Sequence, residues 1–146
     1  MYINSSENSV AIVWHNNFLT LDSQIEYSTN KDLKDSIMLK PDSIVKVNDT
    51  YIYTTYLNDL LPGKTYYYQI SSDLFHKREI MKFKTIPKNH EELKFLLLGD
   101  TQTIEKNREV RKKLIKSIKG EDFDFFIHLG DIVEKSKLQN EWNEFF

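Results

Sequence analysis

The segment that decides the fold class is residues 60–68, whose sequence is LLPGKTYYY. Pro62 and Gly63 are residues that tight turns favour, and the tyrosines after them begin a strand in which alternate side chains share a face. A tyrosine just after such a turn can return its hydroxyl to the upstream backbone, which is typical of the tyrosine corner in a β-sandwich. The alternative is an ordinary β-hairpin with a Pro-Gly turn.

The rest of the first half contains short segments with the period of two that half-buried strands show. Val10, Ile12 and Trp14, for example, alternate along one face. Such alternation of β-branched and aromatic residues predicts strands at residues 10–14, 25–27, 37–40, 44–47, 51–57, 66–70 and 81–85. Several short strands at close spacing predict an antiparallel β-sandwich over residues 1–88.

The second half of the chain changes its periodicity and predicts a different fold class. Residues 85–92 are polar and include a proline, so they are interpreted as a linker. An apolar run at 93–98 is typical of a strand covered on both faces of a parallel sheet, and 123–129 is a second such strand. Helical spacing predicts helices from about 105 to 119 and from near Leu138. This order predicts one βαβ crossover unit over residues 89–146.

The composition excludes several classes of function. The chain has 146 residues and no cysteine, which excludes a disulfide scaffold, a thiolate metal site and a cysteine nucleophile. The net charge of −2 gives no support to a nucleic-acid partner, and there is no apolar run long enough to span a membrane. The N-terminal residues lack the pattern of a signal peptide, and the cellular location is left unassigned.

The residues that could carry chemistry stand where the two predicted parallel strands end. Each strand ends in Gly-Asp, at Asp100 and at Asp131. Sites in open α/β sheets form at the carboxyl ends of strands, and two carboxylates that converge there repel each other unless a cation lies between them. Carboxylate oxygens suit magnesium, manganese, iron or zinc. The alternative is that both aspartates are turn residues or helix N-caps.

The combination of these features resembles a known family. The Leu-Pro-Gly…Tyr turn, FKTIP at 83–87, FLLLGD at 95–100, FFIHLGD at 125–131 and EWNEFF at 141–146 follow one another along the chain. This order is similar to that of the purple acid phosphatase branch of the calcineurin-like metallophosphoesterases, whose N-terminal module is fibronectin type III-like. The resemblance implies a dinuclear metal centre that hydrolyses phosphate esters, with Asp100 as a ligand to one metal and Asp131 as the ligand that bridges both.

Three positions near these motifs need separate interpretation. Purple acid phosphatases have an iron-bound tyrosine three positions after the bridging aspartate, where this sequence has Glu134. We therefore expect a protein without the purple colour, and the metal pair stays open among iron, zinc and manganese. Much of the superfamily has a histidine where Gln102 stands, so its amide oxygen is a third candidate ligand. His128 is expected to pack, or to form a hydrogen bond behind the metal ligands.

The predicted function is metal-dependent hydrolysis of a small-molecule phosphate ester by a metal-activated water. Two parallel strands leave most of a sheet open, and the family's later Gly-Asn-His motif has no counterpart after Asp131. Residues 89–146 are therefore interpreted as an incomplete catalytic domain of a longer protein, with no catalytic acid assigned and little turnover expected from this chain alone. Neither a nucleic-acid nor a membrane partner is predicted. The alternative is a non-catalytic adhesion or interaction module with a short α/β tail.

Overall fold

The computed structural model describes residues 7–71, 79–89, 92–102 and 108–145. By its internal contacts the chain divides into two compact units, Met1–His90 and Glu91–Phe146. Each unit has its own secondary structure and is described by itself. Within the described ranges, no helix is long and apolar enough to cross a membrane.

The first unit is an antiparallel β-sandwich. Its strands are β1 (Val10–Asn16), β2 (Gln24–Ser28), β3 (Ile37–Leu39), β4 (Ser43–Val47), β5 (Thr50–Leu57), β6 (Thr65–Ser71) and β7 (Met81–Lys84). One sheet has the order β1-β5-β4 and the other the order β3-β2-β6-β7, with antiparallel pairing throughout. The prediction of a fibronectin type III-like sandwich is confirmed.

The core of this unit comes from the alternation that the sequence shows. Ile12 of β1, Ile25 of β2, Tyr53 of β5 and Tyr68 of β6 are completely buried, and they belong to one cluster between the two sheets. Trp14 stacks on Tyr53 with ring centroids 5.5 Å apart. Burial of aromatic rings of this size contributes a large part of the stability of a small domain.

The turn at residues 60–64 connects strands of different sheets, so it is not the turn of a hairpin. It joins β5 of one sheet to β6 of the other. The Tyr66 hydroxyl accepts a hydrogen bond of 2.9 Å from the backbone N–H of Leu61, as a tyrosine corner requires. Gly63 has a φ of 68°, a conformation that glycine adopts without steric cost.

The second unit contains a pair of parallel strands and two helices in its described residues. The elements are β8 (Phe95–Leu98), α1 (Arg108–Ile118), β9 (Phe125–His128) and α2 (Gln139–Phe145). The strands pair in register from Phe95 opposite Phe125 to Leu98 opposite His128. The order of strand, helix, strand and helix agrees with the prediction, except that residues 105–107 of the predicted first helix lie outside the described residues.

The expectation that these strands are covered on both faces is not met by the described residues. Phe95 and Leu97 of β8 are 51% and 53% exposed, and Phe126 of β9 is 52% exposed. Val110 and Ile115 of α1 are also largely exposed, so most of the apolar side of this helix is uncovered. The described elements are too few to enclose a two-stranded sheet, because each face of a sheet needs a packed layer to be covered.

Candidate metal site

The two Gly-Asp turns lie side by side because the parallel pairing continues past the strand ends. The backbone N–H of Leu129 donates to the carbonyl of Leu98 at 2.8 Å, and that of Asp100 donates to the carbonyl of Gly130 at 3.3 Å. The N–H of Gln102 then donates to the carbonyl of Asp131 at 2.8 Å. Asp100 and Asp131 therefore follow neighbouring strands at the same edge of the sheet, in turns that hydrogen-bond to each other.

Both aspartates have the same unusual backbone conformation. Asp100 and Asp131 each have a φ of 52°, and Gly130 has a φ of 122°. Aspartate is among the few residues other than glycine that occupy the left-handed region readily. Both side chains are exposed. The two aspartates thus share one backbone conformation, and both are exposed to solvent, where a cation could reach their carboxylates.

Gln102 has a buried side-chain oxygen that lacks a partner. Its Oε1 atom is inaccessible to solvent and has no hydrogen-bond donor within reach among the described residues. A buried amide oxygen without a donor loses its hydration with no compensation, which costs ~1–3 kcal/mol. An amide oxygen is a suitable ligand for a hard cation, and the role of Gln102 as a third ligand stays a prediction.

His128 ends β9 and lies against the first turn instead of pointing into solvent. Its Nε2 atom is 2.7 Å from the Thr101 hydroxyl, and its Nδ1 atom accepts a hydrogen bond of 3.2 Å from the N–H of Gly130. The ring meets that of Phe145 edge-on at 5.8 Å. His128 therefore packs and forms hydrogen bonds close to both aspartate turns.

Thr101 is a residue that the sequence reasoning did not single out. It is 7% exposed, and its hydroxyl bonds His128 across the strand pair. The available signal was its position between two candidate ligands, Asp100 and Gln102.

The loop after Asp131 is held by α2. The Glu141 carboxylate accepts a hydrogen bond of 2.7 Å from the backbone N–H of Lys135, and the Trp142 indole donates to the carbonyl of Ser136 at 2.8 Å. Glu134 lies in this loop and is exposed.

The donors at the two turns are too few for a complete metal centre. In the parts of the chain that the structure describes, no three His, Cys, Asp or Glu side chains form a group that could hold a metal ion. Two carboxylates and one amide oxygen are the right donor type for hard cations, but a metal pair needs more ligands than these. The residues present fit part of a metal centre.

The first unit also contains a shallow cleft with polar lining. Its volume is about 540 Å³, and it is lined by Glu7, Asn8, Asp59, Leu60, Pro62 and Lys88. The cleft is wide open to solvent and mixes one lysine with two carboxylates. It offers no convergent set of ligands, so the two Gly-Asp turns remain the candidate site.

Comparison with protein families gives two matches that together cover nearly all of the chain. Residues 1–85 match the purple acid phosphatase N-terminal domain, and residues 93–146 match the calcineurin-like phosphoesterase domain. The second match begins just before β8 and includes both Gly-Asp turns.

Among solved structures, the chain is similar to PhoD, with 15% identity and a TM-score of 0.64 over 88% of this chain and 26% of that chain. At this identity the likeness shows the fold alone, and the chain spans about a quarter of that protein.

Two smaller domains are also similar in part. The sensor domain of the anti-sigma factor RsgI4 from Pseudobacteroides cellulosolvens matches at 14% identity and a TM-score of 0.47, over 61% of this chain and 74% of that chain. The fn3 domain of human contactin 1 matches at 17% identity and a TM-score of 0.42, over 62% of this chain and 77% of that chain. No curated protein sequence matches the chain.

Proposed function

Because the chain belongs to the family of the purple acid phosphatase N-terminal domain and continues into part of a calcineurin-like phosphoesterase domain, we propose that its two Gly-Asp turns hold metal for the hydrolysis of phosphate esters. Proteins of the phosphoesterase family typically bind metals and act on phosphate esters. In this proposal residues 1–88 form the sandwich domain, and residues 89–146 carry the first metal ligands of the catalytic domain.

One observation carries the proposal: the hydrogen-bonded ladder between the two aspartate turns. The bond from the Gln102 N–H to the Asp131 carbonyl, at 2.8 Å, lies beyond the last strand pair. Adjacent strands are separated by ~4.8 Å, so this pairing keeps the backbones of the two turns within reach of a shared cation.

Each candidate ligand has a distinct role in the proposal. Asp131 would be the ligand shared by both metals, Asp100 would be a ligand to one of them, and the Gln102 amide oxygen would complete the donor set that this chain supplies. Bound there, a metal pair would supply Lewis acidity and would activate water for attack on a phosphate ester. The chain's own contribution is to hold these oxygens in a fixed geometry at the edge of the sheet.

Two consequences follow for the chemistry of this chain. Glu134 replaces the tyrosine that gives purple acid phosphatases their colour, so we expect no visible tyrosinate band after loading with ferric iron. No side chain at the turns is placed to protonate a leaving group among the described residues, since His128 already bonds Thr101 and Gly130. We therefore expect weak metal binding and little turnover from the 146-residue chain alone.

The test is a calorimetric titration of the chain with Mn²⁺ and Zn²⁺, together with an assay on a chromogenic phosphate ester. We expect measurable binding that Asp131→Asn removes, because the bridging carboxylate is lost. Asp122→Asn changes an exposed aspartate of the same unit and is the matched control, which should leave binding unchanged.

Three results would contradict parts of the proposal. Equal binding by the chain and by Asp131→Asn would exclude Asp131 as a ligand. Binding of neither metal would favour the alternative of a non-catalytic interaction module. Robust hydrolysis that Asp131→Asn abolishes would keep the function but overturn the conclusion that these residues form an incomplete centre.

A further inference from the structure

The Thr101 hydroxyl connects the first aspartate turn to the second strand. Thr101 follows Asp100 directly, and its buried Oγ1 atom lies 2.7 Å from Nε2 of His128, the last residue of β9. The same oxygen is 3.5 Å from the backbone carbonyl of Ile132, which follows Asp131. The hydroxyl next to the first Gly-Asp turn therefore contacts the chain both before and after the second one, at His128 and Ile132.

The hydrogen bonds of His128 fix which ring nitrogen carries the proton. The Gly130 N–H points at Nδ1 at 3.2 Å, so Nδ1 must accept and has no proton in the neutral ring. The proton then lies on Nε2 and is donated to Thr101 Oγ1, which leaves the threonine proton for the Ile132 carbonyl. This chain of donors runs from Gly130 through His128 and Thr101 to Ile132, and its two ends flank Asp131.

We propose that Thr101 and His128 are positioning residues that clamp the two Gly-Asp turns together, so that Asp100 and Asp131 face one metal site. The inference rests on the proposed function for its purpose, but the clamp itself exists without metal. The edge-on contact of His128 with Phe145 of α2, at 5.8 Å, restricts the ring on its remaining side. A ring held by two hydrogen bonds and one packing contact has a single orientation, which a positioning role requires.

The first test uses the metal-free 146-residue chain and measures the clamp directly. Long-range ¹H–¹⁵N NMR of the imidazole should show the Nε2-protonated form of His128. Thr101→Val removes the hydroxyl but keeps the shape, and we expect amide exchange at Asp100 and Gln102 to rise about tenfold, the effect of losing one net hydrogen bond. Thr101→Ser restores the hydroxyl and should restore slow exchange.

The amide of Asp124 is the internal control for that measurement. It bonds the carbonyl of Lys94 at 2.7 Å, at the opposite end of the same strand pair. An equal rise at Asp124 would show a general loss of stability and would overturn the clamp. Unchanged exchange at Asp100 and Gln102, or a proton on Nδ1 of His128, would overturn it as well.

The second test asks whether the clamp serves the metal ligands, with Mn²⁺ alone as the probe. We expect Thr101→Val to weaken Mn²⁺ binding about tenfold or more, as loss of residues behind metal ligands does, and Thr101→Ser to recover it. If the chain and Thr101→Val bind Mn²⁺ equally, the positioning role fails and the proposed function stands. If the chain binds no Mn²⁺, both the proposed function and the positioning role of the clamp fail. The amide-exchange result still decides whether the clamp itself exists.

Discussion

Burial changes the acidity of two tyrosine hydroxyls in the sandwich. Tyr68 is fully buried, and its hydroxyl donates to the Met81 sulfur at 3.5 Å. Burial raises the pKa of Tyr68 from 10.0 to about 12. Burial, followed by the charges of Tyr66 and Asp59, also raises the pKa of Tyr27. These shifts oppose ionisation in the folded state.

The raised pKa of Tyr68 predicts how the sandwich responds to alkali. Because the folded-state pKa of about 12 lies above the unfolded value of 10.0, the stabilisation is complete below pH 10 and is lost as pH rises through 12. We expect the free energy of unfolding to fall by roughly 2 kcal/mol over this range. Urea unfolding at pH 9 to 12 measures this fall in the free energy of unfolding. The Tyr68→Phe variant should lack the part of the fall that comes from Tyr68. An identical fall in Tyr68→Phe would show that ionisation of Tyr68 does not cause it.

The neighbouring Tyr66 tests the tyrosine corner. Tyr66→Phe leaves the buried ring in place but removes the acceptor of the Leu61 N–H, so we expect a loss of ~1–2 kcal/mol in the free energy of unfolding. Tyr67→Phe is the matched control, since the Tyr67 side chain alternates to the other face of β6 and is only half-buried. Denaturant unfolding of both variants measures the difference. Equal stabilities would mean that the corner contributes nothing.

At the scale of elements, the turn between β5 and β6 is tied to the chain that leaves β7. The Thr85 hydroxyl, 1% exposed, donates to the Leu61 carbonyl at 2.7 Å and accepts from the Lys64 N–H at 3.0 Å. The Gly63 N–H also donates to the carbonyl of Ile86 at 3.3 Å. The chain that follows β7 is therefore fixed to the turn that precedes β6, although Thr85 lies 24 residues after Leu61 in the sequence.

Removal of that hydroxyl should destabilise the whole sandwich. Thr85→Val keeps the volume but leaves the Lys64 N–H and the Leu61 carbonyl without their partner, and we expect a cost of ~1–3 kcal/mol. Thr85→Ser retains the hydroxyl and should cost less. The midpoint of thermal or urea unfolding compares the two. A serine variant less stable than the valine variant would show that the methyl group, and not the hydroxyl, matters.

The elements themselves were largely predictable from sequence, whereas the contacts between distant residues were not. Alternation at Val10, Ile12 and Trp14 reports local burial, so it locates β1 without further information. The pairing of Thr101 with His128 depends on how β8 and β9 are aligned, which no local pattern encodes. The exposure of Phe95 could not be predicted either. An apolar run shows which side chains a strand can bury, but it does not show whether another element covers them.

For the whole molecule, the division into two compact units predicts independent folding of the sandwich. Every member of its core cluster lies between Val10 and Phe83, so residues 1–90 contain the complete core. Each unit also has one tryptophan, Trp14 buried in the first and Trp142 partly buried in the second. These two residues allow each unit to be observed separately.

We expect a fragment of residues 1–90 to unfold cooperatively at the same midpoint as the first unit in the full chain. Trp14 emission reports the fragment, and Trp142→Phe in the full chain isolates the same signal there. The packing of Trp14 on Tyr53, 5.5 Å between ring centroids, should persist and give a matching near-ultraviolet circular dichroism spectrum. A fragment without a cooperative transition would show that the sandwich depends on residues after position 90.

The shared metal site is best tested by titrating the ¹⁵N-labelled chain with Mn²⁺ and following which amide signals broaden. Paramagnetic broadening falls steeply with distance from the ion, so it locates the site without any assay of activity. We expect the signals of residues 99–102 and 129–132 to broaden first and together, and Asp131→Asn to abolish the effect. Broadening centred on exposed acidic residues elsewhere, such as Glu109 and Glu121, with both turns unaffected, would contradict a metal site between Asp100 and Asp131.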